Sequence, residues 1–157
     1  MMSQAGNRSR HKSQCGQAAV EFALTITVLV FLLVGMLELT MFVYTYSVLA
    51  DAAKEGVRYA IVHGASVSGV TSGDASSTPW PACTTAATGS LLSTVQTYAA
   101  ASLHSTSSMN IYACYPDGSN KPGSAVQVSV NYLYQPLFGL GWPKVNVSAN
   151  SAGRIMF

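Results

Sequence analysis

The chain has 157 residues, enough for one domain and one membrane segment but not for two full domains. Charged residues make up 9% of it, against about 25% in soluble domains, which indicates a membrane protein. Arg8, Arg10 and Lys12 precede Gly16 and all six acidic residues follow it, so the alkaline pI comes mostly from the N-terminal end. No basic patch with interleaved aromatic residues follows, and we expect no nucleic-acid partner.

Residues 1–16, called the leader below, are polar and show no hydrophobic periodicity. The sequence therefore predicts a disordered segment. Its basic residues stand just before an apolar run, and such residues favour the cytoplasmic side of a membrane. We expect the leader to be cytoplasmic and the rest of the chain to follow a single membrane crossing.

The apolar segment, residues 22–37, carries no charge. As a helix it would be about 24 Å long, slightly less than the hydrocarbon core of about 30 Å. The run continues beyond Glu38 to Tyr46, which supplies the missing length. The sequence predicts a transmembrane helix, and it leaves open whether Glu38 marks the outer boundary or makes a buried contact.

From about Ser47 the helical pattern becomes amphipathic. Asp51, Lys54, Glu55 and Arg58 fall on one helical face, called the charged face below, which we interpret as solvated rather than catalytic. The opposite face gathers Phe42, Tyr46, Leu49, Ala53, Gly56, Val57 and Ala60. The helix should end near His63-Gly64. We predict one continuous helix from about 18 to 63, within a segment of residues 17–63 that is transmembrane first and amphipathic after.

The remainder divides into a loop at 64–89 and a small extracytoplasmic α+β domain at 90–157. Residues 90–104 have helical spacing, with Ser90 as N-cap. Alternating patterns within 109–115, 126–134 and 145–155 predict three strands in an antiparallel meander. Such a sheet needs a cover for its apolar face, which the short helix and the apolar face of 47–63 can supply. The predicted fold class is α+β.

The sequence shows no pattern typical of catalysis. The histidines are isolated, no paired C-x-x-C spacing occurs, and neither a phosphate loop nor a G-x-S-x-G motif is present. We expect no enzyme activity, no metal and no cofactor. Cys83 and Cys114 would form a disulfide in an oxidising compartment, and the alternative is two unrelated buried thiols.

The junction between leader and apolar segment allows several interpretations. A secretory signal with a cleavage site at Ala50-Asp51-Ala52 conflicts with an apolar stretch much longer than the usual 7–15 residues. A lipoprotein signal conflicts with the position of Cys15 before the run. A plain membrane anchor is compatible with the pattern, since Glu21 and Glu38 lie about 25 Å apart along a helix and could mark the two edges of the bilayer.

A further interpretation rests on the spacing of four residues. Gly16 is followed directly by Gln17, and Glu21 and Phe22 stand at the fifth and sixth positions after the glycine. This arrangement resembles a prepilin-peptidase site. Together with Leu37-Glu38, the block at 52–60 and the strand pattern at 126–137, it resembles the TadE-like family, pseudopilins of the tight-adherence (Flp) pilus system. Two positions depart from the pattern. Phe22 stands where the major pilins of this system usually carry tyrosine, and Lys54 where the family often has arginine.

The resemblance implies cleavage between Gly16 and Gln17 on the cytoplasmic side. It implies that Glu21 compensates the N-terminal ammonium of a neighbouring subunit, and that Glu21 and Phe22 guide processing or packing. The implied partners are the membrane, a prepilin peptidase, other pilins or pseudopilins, contacted through residues 39–62, and the inner-membrane assembly platform. The alternative is an unprocessed single-pass membrane protein with a small adhesin-like binding domain.

Overall fold

The computed structural model describes residues 8–64, 71–72, 83, 86–103, 105–139 and 141–156. The elements, in chain order, are α1 Arg8–His63, β1 Thr71–Ser72, α2 Gly89–Ala100, β2 Met109–Tyr115, β3 Ala125–Tyr134 and β4 Val145–Arg154. The α+β class is confirmed, with a long helix, a short helix and an antiparallel three-stranded sheet. The chain divides into two compact units, Met1–Thr40 and Met41–Phe157.

The first unit is helical from Arg8 onward. The prediction of a disordered leader is therefore wrong for residues 8–16, while residues 1–7 lie outside the described part. Residues 8–16 contain no proline, and a helix that is already nucleated gains one hydrogen bond for each further residue it fixes. Helix α1 consequently continues backward from the apolar segment into the leader.

The second unit begins with the last part of α1. Leu49, Ala53, Val57 and Ala60 are buried as predicted, but Tyr46 is 50% exposed and its assignment to the apolar face is wrong. Thr45 and Val48 are buried instead, because the buried stripe runs through positions three and four residues apart and leaves Tyr46 at its margin. The predicted end is confirmed: α1 stops at His63, and Gly64 adopts a positive φ of 48°.

Strands β2, β3 and β4 form the predicted antiparallel meander. Ile111 pairs with Val130, and Val130 pairs with Ala149. The sequence missed β1, whose Thr71 pairs with Cys114 of β2 in parallel, and it missed the antiparallel bridge between Ala86 and Tyr112. Both lie in the predicted loop 64–89, where a two-residue strand and a single bridge are too short to show any alternation.

Helix α2 begins and ends earlier than predicted. Its N-cap is Thr88 rather than Ser90, and the Ser90 carbonyl accepts hydrogen bonds from the hydroxyls of Ser93 and Thr94 inside the helix. The helix ends at Ala100, before the predicted limit at 104, a residue outside the described part. Its buried residues are Leu91, Val95 and Ala99, which form one stripe at i, i+4 spacing.

The core of the second unit lies between the helices and one face of the sheet. Fully buried members include Leu49 from α1, Leu91 and Val95 from α2, and Val128 and Val130 from β3. Alternation along the strands places odd-numbered residues of β2 and β4 and even-numbered residues of β3 on this inner face. The opposite, outer face of the sheet bears the remaining side chains.

Candidate functional site

The expected scissile pair lies within α1, and both residues are exposed. A β-carbon added at Gly16 would meet nothing within 4 Å, and Gly16 is not among the glycines with a positive φ. Neither packing nor backbone conformation therefore requires glycine at this position. If glycine is required at position 16, the requirement comes from a molecule that binds or cleaves the chain and not from the described fold.

Glu21 lies one helical turn beyond Gln17. The Gln17 side-chain amide nitrogen Nε2 donates a hydrogen bond of 3.0 Å to Glu21 Oε1, so both side chains share one face of α1. The Glu21 carboxylate is exposed at the start of the apolar segment, and Phe22 beside it is exposed as well. A negative charge thus lies next to the residue that cleavage after Gly16 would turn into the N-terminus.

The apolar segment has the properties of a membrane span. Within Gly16–His63 the most apolar window has a mean hydropathy of 2.5 and is 6% buried, so its large side chains are not covered by protein. The hydroxyls of Thr25, Thr27 and Thr40 each donate to the backbone carbonyl four residues earlier. These internal bonds lower the cost of placing hydroxyls in lipid. One helix in the described part is therefore long and apolar enough to cross a membrane.

Glu38 differs from Glu21 in its surroundings. It is 4% exposed, whereas Glu21 is an exposed residue of the same helix. Of the two alternatives that the sequence left open, burial favours a contact over a solvated boundary marker. A buried carboxylate is costly when it is left without compensation, so the surroundings of Glu38 differ from those of Glu21.

The four residues of the charged face form two ion pairs. Lys54 Nζ lies 3.0 Å from Asp51 Oδ1, and Arg58 Nη1 lies 3.4 Å from Glu55 Oε2. These pairs are exposed, and such pairs contribute about 0.2–1 kcal/mol each. Glu55 also lines a shallow groove with four polar residues of α2: Ser93, Thr94, Thr97 and Tyr98.

The two distal cysteines form a disulfide in this structure. Cys83 and Cys114 have a Cα–Cα distance of 5.4 Å, within the range of about 4.4–6.8 Å typical of disulfides. Both residues are buried. The bond joins Cys83, which precedes α2, to the C-terminal end of β2 on the outer face of the sheet.

No group of three or more metal-binding side chains of the His, Cys, Asp or Glu type occurs among the described residues. The absence of enzyme activity stays a prediction. The sequence analysis also missed an arrangement of polar residues. Asn110, Asn131, Asn146 and Asn150 come together on the outer face of the sheet, and the signal that could have found them is their alternate spacing along neighbouring strands.

Comparison with known proteins supports the family resemblance. The family model described as TadE-like protein matches residues 16–58, a range that begins at the expected scissile glycine and ends at Arg58 of the charged face. The resemblance stated from the sequence is confirmed over this range. No curated protein and no solved structure matches the chain. The family match and the apolar helix fit a membrane protein associated with the tight-adherence pilus.

Proposed function

We propose that this chain is a minor pilin or pseudopilin, anchored in the inner (cytoplasmic) membrane, that takes part in assembly or initiation of a tight-adherence (Flp) type pilus. In this proposal a prepilin peptidase first removes the leader by cleavage between Gly16 and Gln17. The observation that carries the proposal is the TadE-like match over residues 16–58. The match contains the expected cleavage site, the apolar segment and the charged face in one continuous helix.

The position of Glu21 suits it to neutralise the ammonium group that cleavage would create. Cleavage would leave an ammonium group on Gln17 at the start of a segment in which Glu21 is the one charged side chain before Glu38. Burial of an unpaired charge between apolar helices costs several kcal/mol. In a helix bundle, Glu21 of one subunit can neutralise the ammonium of a neighbour, so that processed subunits pack together more favourably than unprocessed ones.

The proposed topology places the leader in the cytoplasm and the second unit outside it. The positive leader supports the first part of this assignment. The Cys83–Cys114 disulfide supports the second part, because disulfides persist in oxidising compartments and are rare in the cytosol. On that side, residues 39–62 of α1 would contact other pilins or pseudopilins and the inner-membrane assembly platform.

Co-expression of the full chain with a prepilin peptidase tests the cleavage. Mass spectrometry should show a mature N-terminus at Gln17. Gly16→Leu should abolish cleavage without unfolding the protein, because nothing lies within 4 Å of the position of its β-carbon. Gly6→Leu, the same change at the other glycine of the leader, is the matched control and should be cleaved normally. An unshortened wild-type chain, or one that begins at Ala53, would reject the proposal.

Substitution of Glu21 separates assembly from anchoring. Glu21→Ala should leave the protein in the membrane fraction but impair its recovery with other pilus subunits, because the neighbouring ammonium loses its counter-charge. Thr25→Ala, which changes an exposed polar residue one helical turn after Glu21 and outside residues 39–62, is the matched control and should leave assembly unchanged. Equal loss of membrane insertion and assembly in Glu21→Ala would instead favour an unprocessed single-pass anchor.

A further inference from the structure

The outer face of the sheet contains a polar groove, called the amide groove below. Its volume is about 610 Å³, within the range of about 300–1,000 Å³ that small-molecule sites occupy. Strands β2, β3 and β4 all contribute, and Cys83 of the disulfide lies at one side. The described residues that line it are Cys83, Asn110, Tyr112, Ser129, Asn131, Asn146, Ser148 and Asn150.

Strand register places six of these side chains in two rows across the sheet. Asn110 pairs with Asn131, which pairs with Ser148. In the neighbouring row Tyr112 pairs with Ser129, which pairs with Asn150. Adjacent strands lie about 4.8 Å apart, so each row presents hydrogen-bonding groups at nearly regular intervals. The groove is therefore an ordered array fixed by backbone pairing.

The groups in this array have unused hydrogen-bonding capacity. Ser129 Oγ donates to Asn150 Oδ1, which leaves the Asn150 amide nitrogen available to donate. The side chains of Asn110 and Asn131 make no hydrogen bond to any other residue in the described part of the chain. One row further along the same face, Gln127 is 4% exposed and its Nε2 is buried with no partner, although buried polar groups are normally paired.

The composition of the groove is unusual for a solvated sheet face. Asparagine is depleted in strands relative to threonine, valine and tyrosine, and four asparagines here converge on one face. Each amide side chain offers two donors and an acceptor with two lone pairs. None of the described lining residues carries a charge, so a phosphate, a nucleic acid or an acidic peptide would meet no counter-charge among them. An apolar ligand would leave buried amides unpaired, at about 1–3 kcal/mol for each group.

We propose that the amide groove binds a neutral oligosaccharide. Sugar hydroxyls both donate and accept, and they match the asparagine amides and the hydroxyl of Ser148. Tyr112 is half-buried and lines the groove, where it offers an aromatic surface for the apolar face of a sugar ring. This inference goes beyond pilus assembly and does not depend on cleavage of the leader.

The test uses the full chain in lipid nanodiscs and three neutral probes: cellohexaose, maltohexaose and chitohexaose. Hexagalacturonate is the charged comparison and a neutral glycine-serine peptide is the protein-like comparison. Isothermal titration should show saturable binding of at least one neutral hexasaccharide. Asn131→Ala should weaken it by about tenfold or more, as loss of hydrogen bonds worth about 1.4 kcal/mol would do.

Asn120→Ala is the matched control, since Asn120 lies on the β2–β3 connection outside the groove, and binding should be unchanged. Asn131→Asp keeps the side-chain shape but replaces donors with acceptors, and it should also weaken binding if Asn131→Ala fails to fold. The proposal is overturned if no neutral hexasaccharide binds at millimolar concentration, if the peptide binds as well as the sugars, or if the Asn131 and Asn120 variants behave alike. Cleavage by the peptidase is measured separately, so either proposal can fail without the other.

Discussion

Gly56 of α1 and Val95 of α2 lie so close together that a β-carbon on Gly56 would stand 2.7 Å from Val95 Cγ2. The same position is 3.2 Å from Val128 Cγ1 of β3. The backbone of α1 therefore approaches both α2 and the sheet at a point where no side chain fits. Glycine in a helix interior costs about 1 kcal/mol relative to alanine, and here that cost permits close packing of all three elements.

Gly56→Ala should lower the free energy of unfolding of the second unit by about 1–3 kcal/mol, because over-packing outweighs the gain in helix propensity. Chemical denaturation of the full chain in detergent, followed by near-ultraviolet circular dichroism, measures the change. The matched control is Gly35→Ala in the same helix, where a β-carbon would meet nothing within 4 Å. A loss of similar size in both variants would contradict the packing argument.

Periodicity in the sequence predicted the elements well where a pattern extends over several turns or several strand residues. The end of α1 at His63, the stripe through Leu49 and Val57, and the three strands of the meander all follow from it. The prediction was wrong for Tyr46, which lies at the margin of such a pattern. Tyr46 is aromatic but lies beside the stripe, and its 50% exposure depends on what packs against α1.

The candidate site shows the same division between local and long-range information. Gly16, Glu21 and the charged face could be recognised because their spacing lies within a single helix. The contact of Gly56 with Val95 and the pairing of Asn110 with Asn131 depend on residues distant in the chain. Cross-strand register has no local signal, so the amide groove could not be assembled before the sheet was known.

The disulfide should contribute substantially to the stability of the second unit. It closes a loop with a sequence separation of 31, which corresponds to about 3–4 kcal/mol in the chain-entropy model. Cys114→Ser should lower the free energy of unfolding by that order, and dithiothreitol should have a comparable effect on the wild type. Cys15→Ser is the control and should leave the urea midpoint unchanged. Equal midpoints for all three proteins would show that the bond does not constrain the unfolded chain.

The ion pairs of the charged face should matter little for stability. Lys54 and Asp51 have side-chain exposures of 66% and 53%, and pairs of this kind are worth about 0.3–0.5 kcal/mol on a helix. Asp51→Ala should therefore change the free energy of unfolding by less than about 1 kcal/mol, and the remaining difference should shrink in high salt. A larger, salt-independent loss would indicate that Asp51 has a packing role.

Tyr115 should make stability depend on pH in the alkaline range. Tyr115 is 3% exposed, and its hydroxyl donates a hydrogen bond of 3.5 Å to the Gly64 carbonyl. Burial raises the pKa of the phenol above its ordinary value of 10.0. The folded state thus holds the phenolic proton more tightly than the unfolded state. The associated stabilisation is fully present below pH 10.0 and is lost as the pH rises from there through the folded-state pKa.

Urea unfolding of a Cys15→Ser background, which avoids thiol exchange, measures this effect from neutral pH to above the tyrosine range. Tyr115→Phe has no proton to lose at this position, so its free energy of unfolding should decline less steeply with rising pH than that of the parent. Tyr98→Phe removes an exposed tyrosine and should follow the parent curve. If the Tyr115→Phe curve ran parallel to the parent curve throughout, titration of another group would have to account for the alkaline loss of stability.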